Sequence, residues 1–162
     1  MLGIEELYLS YREDVFYYLL GLTHDPHLAE DLLSETFLAA LQGLAGFRGE
    51  AAVKTWLFGI ARNRWLKSLR TKAGAPDEDF FLSRYLSGTP EEAYFSREAL
   101  RRVRELLAEA DPRSADILKM RARGFPYQEI AGRWNISENS ARVVDFRTKK
   151  WLRKTLEREG LL

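Results

Sequence analysis

Apolar residues recur at steps of three and four along nearly the whole chain. Ile4, Leu7, Tyr8, Tyr11, Val15, Tyr18, Leu19 and Leu22 form the first series, which predicts one face of an amphipathic helix. Thr23-His24-Asp25-Pro26 ends that helix and starts the next, with Asp25 suited to the N-cap and Pro26 to the first helical position, where no N–H is missed. The second series, Leu28, Leu32, Phe37, Ala40, Leu41 and Leu44, should stop between Gly43 and Gly46. A third begins after Phe47-Arg48-Gly49 and runs through Trp56, Leu57, Ile60, Ala61, Trp65, Leu66 and Leu69. No stretch sustains the alternation of a strand. The fold class is therefore all-α.

Between Lys72 and Thr89 the periodicity fails among Gly74, Pro76, Gly88 and the acidic run Asp77-Glu78-Asp79. That is linker composition, yet Phe80-Phe81-Leu82 and Tyr85-Leu86 are too apolar for an inert spacer. They either form a short docked helix or wait for a partner. Thr89-Pro90-Glu91-Glu92 then reads as a capped helix start, and Ala93, Leu100, Val103, Leu107 and Ala110 as its stripe. Asp111-Pro112 repeats the device for a helix through Ile117, Leu118 and Met120 that ends at Gly124. The expected organisation is a three-helix-type domain over 1–71, a flexible acidic linker over 72–89, and a helical bundle over 90–162.

Within the last domain, Gly124 to Leu152 carries the chemistry of a helix-turn-helix. A steep crossing needs a small residue on the first helix (Ala131), a residue tolerant of left-handed dihedrals in the turn (Asn135), and an apolar plug after it (Ile136). Ser137 can cap the second helix, Ala141 and Val144 form its inner stripe, and Ile130 and Trp134 complete the inner face of the first. Packing alone would not explain the second helix's other side chains. Glu138, Asn139, Arg142, Arg147, Lys149, Lys150, Arg153 and Lys154 suit phosphate neutralisation and base-edge hydrogen bonds in a major groove.

Charge changes the picture for the first domain. The net charge is only +1, but residues 51–73 carry six bases and no acid, while residues 1–50 carry nine acids and two bases. A second basic block runs from Arg113 to the end, with twelve bases and six acids. Two separated basic blocks can meet a polyanion at two places while the chain stays soluble. In the first block Trp56, Phe58 and Trp65 interleave with Lys54, Arg62, Arg64 and Lys67, with Asn63 between two arginines. Bases that hold a backbone beside rings that stack on unpaired bases suit a partly opened strand. This role requires the four cations to gather on one accessible side.

Other classes are excluded or disfavoured. The absence of cysteine removes disulfides and thiolate metal sites, and the longest apolar run, Val15 to Leu20, is too short to span a bilayer. The acidic start MLGIEELYLSYRED is unlike a secretory leader, so the expected location is cytoplasmic. His24 and His27 straddle a helix start and find no third ligand, and no nucleophile motif or phosphate-binding glycine loop occurs. Neither an enzyme, a metal site, a cofactor nor a small-molecule substrate is expected.

The segments AEDLLSETFLAAL and FRGEAAVKTWLFGIARNRWLKSLR, a linker, and YQEIAGRWNIS occur in the order and spacing of a bacterial extracytoplasmic-function (ECF) RNA polymerase sigma factor of the sigma-70 family, which the chain resembles over nearly its whole length. The resemblance implies that Asp31, Leu32, Leu33, Glu35 and Phe37 dock on core RNA polymerase. It implies that Phe47, Arg48, Lys54, Trp56, Arg62, Asn63, Arg64 and Lys67 capture and melt the minus-ten element of promoter DNA. Ser137, Glu138, Asn139, Arg142, Arg147, Lys149 and Lys150 would meet the minus-thirty-five element. It also implies an anti-sigma factor as partner. Two departures stand out: Ser34 replaces the usual glutamine, and Val143-Val144-Asp145-Phe146 replaces a more polar, basic run. The rival reading is a stand-alone helix-turn-helix regulator that binds duplex DNA without polymerase.

Overall fold

Residues 3–47, 52–87 and 95–162 are described in a computed structural model, and all the regular structure among them is helical. Two compact units divide the chain, Met1–Thr71 and Lys72–Leu162.

In the first unit, α1 (Ile4–Thr23) ends at His24, whose left-handed φ of 54° turns the chain so that Asp25 can cap α2 (Pro26–Gly43). The Asp25 carboxylate accepts from the N–H groups of His27 and Leu28 at 3.0 and 3.3 Å, a cap worth about 1 kcal/mol. A short 3-10 turn, Leu44–Gly46, follows α2 at the glycines where the sequence predicts a stop. Helix α3 (Val53–Arg70) completes the unit and packs on both others. The core is Leu7, Val15 and Leu19 from α1, Ala29, Leu32, Phe37 and Ala40 from α2, and Leu57, Ala61, Trp65 and Leu66 from α3. Leu41, placed on the inner stripe by periodicity, instead points outward at 51% exposure.

In the second unit, part of the segment expected as a linker is helical. Residues Glu78–Leu86 form helix α4, capped by Asp77 through the Phe80 N–H at 3.0 Å, and the docked alternative is the one adopted. Phe81, Leu82 and Leu86 are almost wholly buried in the unit. Helix α5 (Arg97–Glu109) starts after Ser96, which accepts from the Ala99 N–H at 3.0 Å. The start expected at Thr89-Pro90 lies outside the described residues. Helix α6 (Pro112–Ala122) opens on Asp111 and Pro112 as read from the sequence. Helix α7 (Tyr127–Trp134) and helix α8 (Glu138–Arg158) follow, and α8 packs on α5, α6 and α7.

Candidate nucleic-acid and polymerase interfaces

The α7–α8 corner has the geometry its sequence requires. Asn135 is left-handed at φ 52°, and its N–H and that of Ile136 both return to the Ala131 carbonyl. Ile130, Ala131 and Ala141 are buried with Ile117, and Trp134, Ile136 and Val144 pack against them. Asp116 braces the corner from α6, accepting from Trp134 Nε1 at 2.7 Å and Arg133 Nε at 2.8 Å. Ser137 Oγ accepts from the Ser140 N–H at 3.0 Å, which makes Ser137 a cap.

The corner presents α8 in a definite rotation. At 100° per residue, Asn139, Val143, Phe146 and Lys150 fall on one ridge opposite the buried stripe of Ala141, Asp145, Thr148 and Leu152. Asn139 and Lys150 are exposed, as are Val143 (36%) and Phe146 (65%). Arg142 and Arg147 flank the ridge on either side, both exposed. Glu138 is exposed in the first turn, and between Asn139 and Lys154 α8 exposes no acid. Lys149, expected on this surface, is half-buried and turned to α4, its ammonium 4.2 Å from the centre of the Tyr85 ring.

Asp145 is the residue sequence reasoning left open, and its placement accounts for it as a packing residue. It is 2% exposed and accepts hydrogen bonds from Tyr85 Oη of α4 at 2.5 Å and Tyr127 Oη of α7 at 2.6 Å. Burial raises its carboxyl above the ordinary carboxylate range, against the lowering pull of the two hydroxyls, Arg121 and Lys149. Burial and the same carboxylate push Tyr127 up to about 12 and Tyr85 higher still. Arg121 and Arg142 cover the Tyr127 ring at 4.1 and 4.7 Å, and Arg153 donates to the Leu86 carbonyl. Helix α4 is thereby tied to both helices of the corner.

These shifts set a pH response. A raised tyrosine pKa contributes stability that is full below the ordinary value of about 10 and is lost as pH climbs through the folded value. The second unit should therefore weaken between pH 10 and about 12, the value to which Tyr127 is raised. Tyr127→Phe should lessen that slope in urea titrations across the window. The raised Asp145 carboxyl acts in the acid range, with stability greatest below its unfolded value and falling as pH rises through the folded one.

The first unit overturns part of the expected stacking surface. Trp65 is 4% exposed and Phe58 stacks on Tyr18 with ring centres 4.4 Å apart, so both rings serve the bundle. Lys54 pairs with Asp14 at 3.5 Å and lies over the Phe58 ring. By helical spacing Lys54, Arg62, Arg64 and Lys67 point around more than half of α3, so the four cations do not gather on one side. Arg62 and Arg64 are half-buried, and Arg62 Nε is enclosed without a partner. What the helix does align is Trp56, Ile60, Asn63 and Lys67, with Phe47 stacked on Trp56 at 4.6 Å. Arg48 lies outside the described residues.

On α2, Asp31 and Glu35 are exposed and one turn apart, Leu33 is half-buried, Leu32 is a core residue that cannot itself meet a partner, and Phe37 is 6% exposed at the floor of the groove beside it. The outward apolar residues are others. A shallow groove between α1 and α2 is lined by Tyr8, Leu9, Ser34, Phe37, Leu38 and Leu41. Leu9 and Leu38 are 70% and 62% exposed, an apolar surface that a monomeric face rarely leaves uncovered. The outward direction of Leu38 and Leu41 was legible in principle, because they stand one and two turns beyond Ser34 and about two and three beyond Asp31.

Comparison with known proteins identifies relatives over nearly the whole chain. Residues 7–74 match the Sigma-70 region 2 family. The chain is 32% identical over 170 residues to the RNA polymerase sigma factor YlaC of Bacillus subtilis (strain 168), an alignment covering 98% of this chain and 97% of that one. It is 30% identical over 158 residues to the ECF RNA polymerase sigma factor SigM of the same organism, covering 96% of each. A third relative, the ECF RNA polymerase sigma factor SigX, is 30% identical over 167 residues, covering 96% of this chain and 86% of that one.

Proposed function

Because this chain belongs to the ECF family of RNA polymerase sigma factors and is a transcription initiation factor, we propose a division of labour between its two units. The first docks on core RNA polymerase through the outer side of α2 and holds the opened minus-ten element against α3. The second reads the minus-thirty-five element with α8. The observation that carries the proposal is the completed α7–α8 corner, which holds a ridge of α8 outward with cations on both flanks.

The docking surface combines Asp31 and Glu35 with the exposed Leu38 and Leu41, carboxylates beside an apolar ridge that suit a basic, partly apolar helix of the polymerase. For the minus-ten element the support rests on Trp56, Asn63 and Lys67, with Phe47 stacked on Trp56, rather than on a pooled basic patch; Arg48 is assigned there by the sequence resemblance alone. Arg64 would act from the edge of that ridge, whereas Arg62 and Lys54 stand on the far side of α3 from it, Lys54 paired with Asp14. An anti-sigma factor would cover the α1–α2 groove and the α8 ridge, and the site of action would be the cytoplasm. No covalent chemistry is required of the chain.

Gel shifts on promoter DNA with and without core polymerase test the scheme. Each unit offers little surface alone, so a stable complex should need polymerase, with affinity raised at least ten-fold. Tight binding of the free chain to duplex DNA would contradict it.

A further inference from the structure

The α8 ridge holds two residues that charge-based reasoning passes over. Val143 and Phe146 are apolar, yet they stand exposed at the centre of the outward face, between Asn139 one turn before and Lys150 one turn after. Their neighbours in sequence turn elsewhere: Val144 packs into the corner and Asp145 is buried under Tyr85 and Tyr127. The only acid in the middle of the helix is thus withdrawn from the surface.

We infer that Val143 and Phe146 are specificity-determining residues that read the 5-methyl groups of thymines in the upstream promoter element. This rests on the proposal that α8 enters that element. Thymine is the one base that shows an apolar group in the major groove, and valine or phenylalanine there gains only by covering it. An amide one turn earlier suits adenine, which a glutamine or asparagine can meet with two hydrogen bonds. Phe146 lies seven residues beyond Asn139, so their Cα atoms are separated by about 10 Å of helix rise, or roughly three base steps. The ridge therefore favours an adenine followed at that distance by one or two thymines on either strand.

The flanks favour DNA over a protein partner for this apolar pair. Arg142 and Arg147 stand on opposite sides of the ridge, as needed to meet phosphates on both walls of a groove. A protein groove fitted to Val143 and Phe146 would have to accept both guanidinium groups and Lys150 along the same strip.

The experiment uses the reconstituted holoenzyme and a promoter selected by it from a random library. Each thymine of the upstream element is replaced in turn by deoxyuridine, which removes only the methyl group. Binding should fall about four-fold at each methyl that Val143 or Phe146 covers. With Phe146→Ser, binding to the thymine promoter should drop and the deoxyuridine penalty should vanish at its position, whereas Phe146→Leu should retain part of it. Equal binding of the unaltered holoenzyme to thymine and deoxyuridine promoters, with the upstream element still protected from hydroxyl radicals, would overturn this inference alone. Absence of any upstream protection would overturn the reader role of α8 with it. Weaker assembly of Phe146→Ser with core polymerase, with the deoxyuridine penalty of the assembled holoenzyme unchanged, would assign the pair to a protein and also overturn it.

Discussion

Replacing Asp31 with arginine is expected to abolish assembly with core polymerase while leaving the protein folded. Asp31 is exposed in the body of α2, and arginine is as good a helix former as the position needs. The cost to stability should stay within about 0.5 kcal/mol, the range of ordinary surface changes. At an interface with a basic helix, the same change converts attraction into repulsion beside Glu35. A centrally placed reversal of this kind costs at least about 2 kcal/mol, or roughly thirty-fold in affinity. Leu38→Asp should act similarly through the apolar ridge, since Leu38 is 62% exposed and holds no core position. Leu32→Ala should instead unfold the unit, because Leu32 is 1% exposed. Co-elution with core polymerase and circular dichroism separate the cases. Normal assembly by Asp31→Arg would reject the docking assignment.

Asp145→Ala should destabilise the second unit by about 3 kcal/mol. The change removes the acceptor for two part-buried hydroxyls, Tyr85 Oη and Tyr127 Oη, and leaves both without that partner. The gain from deleting a carboxylate whose ionisation burial already opposes offsets part of this loss. Over a unit of this size the melting midpoint should fall by on the order of 15 °C. Asp145→Asn, which keeps an acceptor, should cost about a third as much, and Tyr85→Phe about 1 kcal/mol. Hydrogen exchange should show α4 opening first, since the carboxylate, with the Arg153 contact to the Leu86 carbonyl and the ion pairs Arg104–Asp79 and Lys119–Glu78, adds the polar ties to the burial of Phe81, Leu82 and Leu86. Unchanged exchange of α4 in Asp145→Ala would show that the carboxylate does not hold the helix.

How far these features could be read from residues alone depends on how local their causes are. Asp25-Pro26 and Asp111-Pro112 mark helix starts because capping is settled within four residues. The α7–α8 corner was equally legible, since Ala131, Asn135 and Ile136 each meet a steric demand of one turn. Asp145 was not, because its burial depends on Tyr85, sixty residues earlier, and on Tyr127. From residues alone the docking of α4 is one of two alternatives for the same reason: its apolar residues mark a contact, but the helices that receive them lie far along the chain. In α3 the error was one of rotation. Interleaved rings and cations look like a stacking surface, but Trp65 and Phe58 fall on the side facing α1 and α2, and Lys54 finds Asp14. Leu32 carries a similar lesson, since a residue grouped with a docking motif can hold a helix in place instead of meeting the partner.

Mapping transcription start sites made by core polymerase plus this chain on a randomised promoter library tests the central claim most directly. Two units that engage promoter DNA separately predict two enriched sequence blocks at a fixed separation, the downstream block adjoining the melted bases and the upstream block altered by Val143 or Phe146 variants. A single palindromic block, or starts that do not depend on the chain, would contradict it.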